Sequence, residues 1–223
     1  MGIIVAISTV ADGTMYNRQD DLDPQVIHNR AVFLEKNAIA IEQTTRLKIS
    51  YDRSDYLRYL ELDASFINHG MTDADAPMRD AIITTDAGHA LFLPIADCIA
   101  AIFYDPIAHV MALAHLGRHS LEQQGGREIV AYLQATHHAT PKNMQVWLTP
   151  APSKDTYPIW ALDNKGMKEA ALEQLFAAGI LHQNITDNSA ESDKDQQYYS
   201  YSESLKGDST KDGSHAIVAM MTS

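Results

Sequence analysis

A single cysteine, Cys98, stands in 223 residues, so an intramolecular disulfide is excluded. Long apolar runs are missing too. The longest, Ala90 to Tyr104, is interrupted by Asp97, whose charge would be costly in a bilayer core. The opening GIIVAISTV lacks both the basic flank and the apolar length of a signal peptide, and the expectation is a cytoplasmic protein. Cations are scarce: 17 Lys and Arg face 29 Asp and Glu, a formal charge of −12, and no basic run breaks the acidic field. That field repels polynucleotides and anionic membranes, so neither is an expected partner. A small anion can still bind where a few cations converge, because charges farther off than roughly 8 Å are screened. Internal repeats and low-complexity blocks are absent as well.

What remains is a chain with 45% hydrophobic residues, enough to bury one large core, read here as a single domain over residues 1–223. IIVAISTV, AIITT, ALFLPI, AAIFYD, HVMALAH, MQVWLT and HAIVAMM have strand length and β-branched or aromatic content. Asp23-Pro24 is an N-cap and N1 pair that predicts a helix towards Ala38, with Val26, Arg30, Phe33 and Leu34 on one face. Leu121, Gly125, Ile129 and Leu133 recur at i+4 and predict a helix after Ser120. A third is expected from Asp163 to Gly179, the glycine serving as C′. The predicted fold class is α/β (α+β), a layered sandwich of central mixed β-sheets flanked by helices. Residues 187–213, rich in Ser, Asp and Lys around a YYSYS island, read as a mobile loop.

Chemistry concentrates in IADC (95–98) and HLGRHS (115–120), where strands ending at Asp97-Cys98 and His115 can meet at one rim of a sheet. His69, in INHG after the strand-like ASFIN, has a similar setting. Two imidazoles and a thiolate suit zinc and leave a position open for water or substrate. The gaps between them are wider than in any compact zinc motif, so spacing alone leaves open a small buried Cys98, a satisfied His115 and a turn at His69. His89 reads as a turn residue, Trp147 as core, and His137-His138 as cations at a helix end.

These islands, in this order, resemble the polyphenol oxidase or laccase-domain family of zinc-containing purine nucleoside phosphorylases. The family's T-A-D-C and H-A-G-W-R-G correspond to residues 95–98 and 115–120, its Q-V-H-G to 67–70, its S-S-T-R to 7–10, its W-x-L-D to 160–163 and its F-F-S-Y to 198–201. The resemblance implies zinc on His69, Cys98 and His115, with Asp97 beside it as a polar or acid–base group. It further implies a purine nucleoside and phosphate as substrates, and adenosine deamination in some members. The departures fall on the family's arginines, replaced here by Val10, His119 and Ser202-Glu203; Arg118, with His119, is the nearest substitute for holding phosphate. The segment after Thr149-Pro150-Ala151-Pro152 is also shortened. Two other readings use the same residues: a cysteine hydrolase with Cys98 as nucleophile and His115 as base, and a zinc-scaffold binding protein that has lost catalysis.

Overall fold

The computed structural model describes residues 2–222. Its strands are β1 (Gly2–Ile7), β2 (Thr44–Arg46), β3 (Tyr59–Glu61), β4 (Ala81–Thr84), β5 (Ala90–Ile95), β6 (Ile99–Asp105), β7 (Val110–Leu116), β8 (Gln145–Leu148), β9 (Ile185–Asp187) and β10 (His215–Thr222). Its α-helices are α1 (Pro24–Lys36), α2 (Arg118–Glu122), α3 (Gly125–His137), α4 (Met167–Ala177) and α5 (Tyr201–Leu205). The strands form two mixed sheets, one ordered β1-β10-β5-β2 and the other β3-β4-β7-β6-β8-β9. The predicted fold class is met.

Alternation along the central strands explains the layering. In β6, Ala100, Ile102 and Tyr104 face the other sheet, where Leu91, Leu93, Ile217 and Ala219 meet them, while Ala101 and Phe103 face Ile129, Val130 and Leu133 of α3 and Leu175 of α4. In β10, Ile217, Ala219 and Met221 point into the space between the sheets, and Ala216 and Val218 point at Phe33 and Leu34 of α1. Each central strand is therefore buried on both faces, which is why it reads as a continuous apolar run. Helices close the sandwich on each side. Among the described residues no helix is long and apolar enough to cross a membrane.

The first helix forms as its capping pair predicts: the Asp23 carboxylate accepts from Gln25 N at 2.8 Å, and Val26, Arg30, Phe33 and Leu34 are the buried face. The second differs. It begins at Arg118 rather than after Ser120, and it breaks at Gln124, which sits at φ 64°, so that α2 and α3 are separate. Gly125 permits the break, because Ser120 Oγ fills the space a Cβ there would need. The third starts at Met167, not Asp163, since Asp163 and Asn164 both adopt left-handed conformations; Gly179, at φ 93°, follows its end as expected. ASFIN is a 3₁₀ turn and not a strand, because Asp63 caps Ala64–Phe66 by accepting from Ser65 N. His89 follows a turn but is buried, with Nε2 2.7 Å from Thr45 Oγ1.

Residues 187–213 include the end of β9, α5 and a 3₁₀ turn at Ser209–Lys211, and the rest is irregular. Lys211, 1% exposed, crosses beneath this segment and donates to the carbonyls of Ser192 (2.8 Å), Asp195 (2.6 Å) and Tyr198 (3.1 Å). A lysine within the tract read as a mobile loop is instead the peg on which the segment hangs.

Candidate functional site

The chain passes from one sheet to the other between β5 and β6, and Asp97 and Cys98 lie in that crossing. Asp97 adopts φ 78°, a left-handed conformation uncommon outside glycine, and its surroundings hold it there. One carboxylate oxygen accepts from Ser192 Oγ at 2.9 Å and the other from Ser202 N at 2.7 Å. The carboxylate thus ties the 187–213 segment to the rim of the sheets.

His115 pairs in register with Ala100, which brings the end of β7 beside Cys98. Gly117 shows how close the two side chains come. A Cβ on Gly117 would stand 2.8 Å from His115 Nε2 and 3.1 Å from Cys98 Sγ. Glycine is required for this approach rather than for its backbone, which is extended at φ −85°. His115 is 2% exposed and neither ring nitrogen has a hydrogen-bond partner in the structure. Burial, with Arg53 and His119 nearby, pushes its pKa down to about 4. The Cys98 thiol goes the other way, up to about 12, chiefly through burial and then Asp97, against the opposing influence of Tyr51 and of Arg118. Neutral thiol beside neutral imidazole is the reverse of the thiolate–imidazolium pair a cysteine hydrolase uses.

Both side chains open into a cavity of about 690 Å³. Asp97, Arg118 and His119 line it as well, so five of the six expected site residues share one wall system. His69 does not line it; its ring lies edge-on to Phe66, with centroids 5.6 Å apart. Arg118 Nη2 is 3.0 Å from His119 Nε2, and the His119 ring stacks on Tyr56 with centroids 4.7 Å apart. Both members of the expected phosphate pair face the cavity, because α2 begins at Arg118 immediately after Gly117.

The cavity holds residues that the motifs did not single out. Arg18, Arg46 and Lys48 line the far wall, and Tyr16, Tyr51, Tyr56, Tyr157 and Tyr201 surround it. Arg46, 1% exposed, pairs with Asp21 at 2.9 Å, and Lys48 reaches the same carboxylate at 3.1 Å. Two cations on one carboxylate leave that wall net positive. No periodic pattern marks these residues; β2, running parallel to β5, delivers Arg46, and the chain continuing from it carries Lys48 and Tyr51.

Zinc, implied by the sequence resemblance, meets donors of the right kind: a thiol, a buried imidazole with both nitrogens unpartnered, and between them the hollow left by the missing Cβ of Gly117. Among the described residues no three His, Cys, Asp or Glu side chains are arranged to hold a metal ion.

Known proteins resemble the chain over part of its sequence and across its fold. A purine nucleoside phosphorylase of Bacillus subtilis, YlmD, is 30% identical over 80 residues, 36% of this chain and 29% of that protein. One from Streptomyces coelicolor is 36% identical over 59 residues, 26% of this chain and 24% of its own length. The matched stretches thus span under a third of these relatives. The whole chain superimposes on the crystal structure of YlmD from Geobacillus stearothermophilus with a TM-score of 0.82 at 21% identity, covering 100% of this chain and 93% of that one. A Bacillus licheniformis protein, YfiH, gives 0.81 at 16% identity, with 99% and 93% covered. The family model described as multi-copper polyphenol oxidoreductase laccase matches residues 14–165, more than half of the sequence, and the chain belongs to that family.

Proposed function

We propose that the cavity binds a purine nucleoside together with inorganic phosphate and catalyses phosphorolysis of the N-glycosidic bond. One observation carries the reading. In a chain of net charge −12, the lining gathers Arg18, Arg46, Lys48 and Arg118; Arg18 is paired with Asp212, Arg46 and Lys48 share Asp21, and with Asp97 counted the cations still outnumber the carboxylates. Such a lining favours an anion that the rest of the surface repels. The tyrosines supply flat apolar faces on which a purine can stack. The names of the curated relatives point the same way.

In the reaction, a phosphate oxygen bonds to C1′ of the ribose as the bond from C1′ to the purine nitrogen breaks. The base leaves with the electron pair and takes up a proton, giving ribose 1-phosphate. In this reading Arg118 and His119 hold the phosphate, the guanidinium offering two parallel donors to two oxygens. The Asp97 carboxylate accepts from Ser192 and Ser202, so its part is to position the wall that carries Tyr201 and Ser202. Zinc is part of the proposal, with Cys98 and His115 among its ligands; bound there it would supply a Lewis acid beside the purine.

The test is release of free base from adenosine, inosine and methylthioadenosine, each with and without phosphate, by protein purified with its metal. Base released only when phosphate is present supports the reading. Ammonia without phosphate dependence indicates deamination instead. No turnover of any nucleoside by zinc-loaded protein favours a binding protein that has lost catalysis.

A further inference from the structure

His115 and Cys98 stand beside a hollow that calls for a third group, and the structure brings one there. Tyr51 lines the same cavity, its ring edge-on to that of His115 with centroids 5.9 Å apart and an interplanar angle of 85°. Its phenol and the Cys98 thiol are close enough to perturb one another. The loop that carries it is fastened on both sides. Tyr56 Oη donates to the Tyr51 carbonyl at 3.0 Å, and Arg53 is ion-paired with the buried carboxylate of Asp80. His69 is held elsewhere, its carbonyl accepting from Arg46 N at 3.0 Å and its ring against Phe66.

We infer that Tyr51, and not His69, is the third protein group of the Cys98–His115 pair, so that a thiophilic divalent cation taken up here is bound by thiolate, imidazole and phenol oxygen. Such an ion displaces the thiol proton of Cys98 to solvent, and the phenol proton follows as Tyr51 ligates. His115 is buried with both nitrogens unpartnered, so either can turn a lone pair to the ion without giving up an existing bond. A phenol oxygen is harder than a second imidazole, which makes the centre weaker for zinc than one built from two histidines.

The inference rests on the proposed function only for its choice of ion. The experiment reads binding and not turnover, so its failure leaves phosphorolysis standing, and a chain that binds metal yet cleaves no nucleoside fails only the functional reading. Metal-stripped full-length protein is titrated with Co²⁺, followed by the cobalt–thiolate absorption, and with Zn²⁺ by competition. Wild type should bind one ion per chain. Tyr51→Phe should weaken binding by roughly tenfold or more, at least the scale seen for losing an outer-shell partner. His69→Ala should leave affinity unchanged, and Tyr51→His should tighten it. Loss of binding in His69→Ala with Tyr51→Phe unaffected overturns the inference, and so does wild-type protein that takes up neither ion.

Discussion

Asp97 combines a strained backbone with a fully used carboxylate. Its left-handed conformation is held by two bonds, to Ser192 Oγ and Ser202 N, made by the same side chain. Asp97→Ala removes both and strands the buried Ser192 hydroxyl, which should lower stability by about 2–3 kcal/mol. Urea denaturation checks the magnitude, and protease digestion should show the new cleavage within residues 187–213. His215 acts through protonation. It is fully buried, and burial, aided by Lys211, depresses its pKa to about 3. Above about pH 6.5 it is neutral folded or unfolded and adds no pH dependence. Below that, the unfolded chain takes a proton that the folded protein refuses, so stability falls as pH drops towards 3. The loss from this group reaches about 2 kcal/mol at pH 5. His215→Phe gives up no hydrogen bond, since neither ring nitrogen has a partner, and should reduce the difference in denaturation midpoint between pH 7 and pH 5. An unchanged difference would mean that carboxylates alone set the acid limb.

At the scale of elements, the connection from β7 into α2 makes the site possible. Gly117→Ala is allowed by the extended backbone, yet its Cβ would meet His115 Cε1 at 2.6 Å. The variant should fold, losing about 1–3 kcal/mol to overpacking. It should lose at least roughly 100-fold in turnover as His115 is displaced; circular dichroism and steady-state kinetics on one preparation separate the two effects. The segment from β9 to β10 depends on Lys211, and Lys211→Met leaves three carbonyls without their donor. Destabilisation of about 3 kcal/mol is expected, with faster hydrogen exchange in residues 188–200. Neither element was fully legible in the sequence. Strands buried on both faces announce themselves as apolar runs, and so β5, β6, β7 and β10 were readable, with Cys98 and His115 at their ends. Lys211 resembles any solvated lysine in a polar tract. Tyr51, Arg46 and Lys48 lie in a stretch without hydrophobic periodicity, and only the parallel pairing of β2 with β5 brings them to the cavity. His69 was singled out because a histidine before a glycine turn looks like a rim residue; the 3₁₀ turn at Ala64–Phe66 sets it against Phe66 instead.

For the molecule as a whole, the acidic surface and the cationic cavity are two parts of one charge distribution. Composition announced only the surface, because a net charge sums over positions and the cavity depends on where four cations fall. The missing family arginines therefore do not leave the cavity without donors; they move the question to Arg118, His119 and the far wall. The central claim is that this cavity uses phosphate to cleave a purine nucleoside. It is tested most directly by measuring ribose 1-phosphate formed from the nucleoside that wild-type protein turns over best, against increasing phosphate, for wild type and Arg118→Ala. The account predicts a saturable dependence on phosphate in wild type, and in the variant a phosphate KM raised by roughly tenfold or more, as loss of a charge-assisted contact of about 1.5–3 kcal/mol requires. Nucleoside cleavage that depends on phosphate yet is unchanged in both Arg118→Ala and His119→Ala would contradict it.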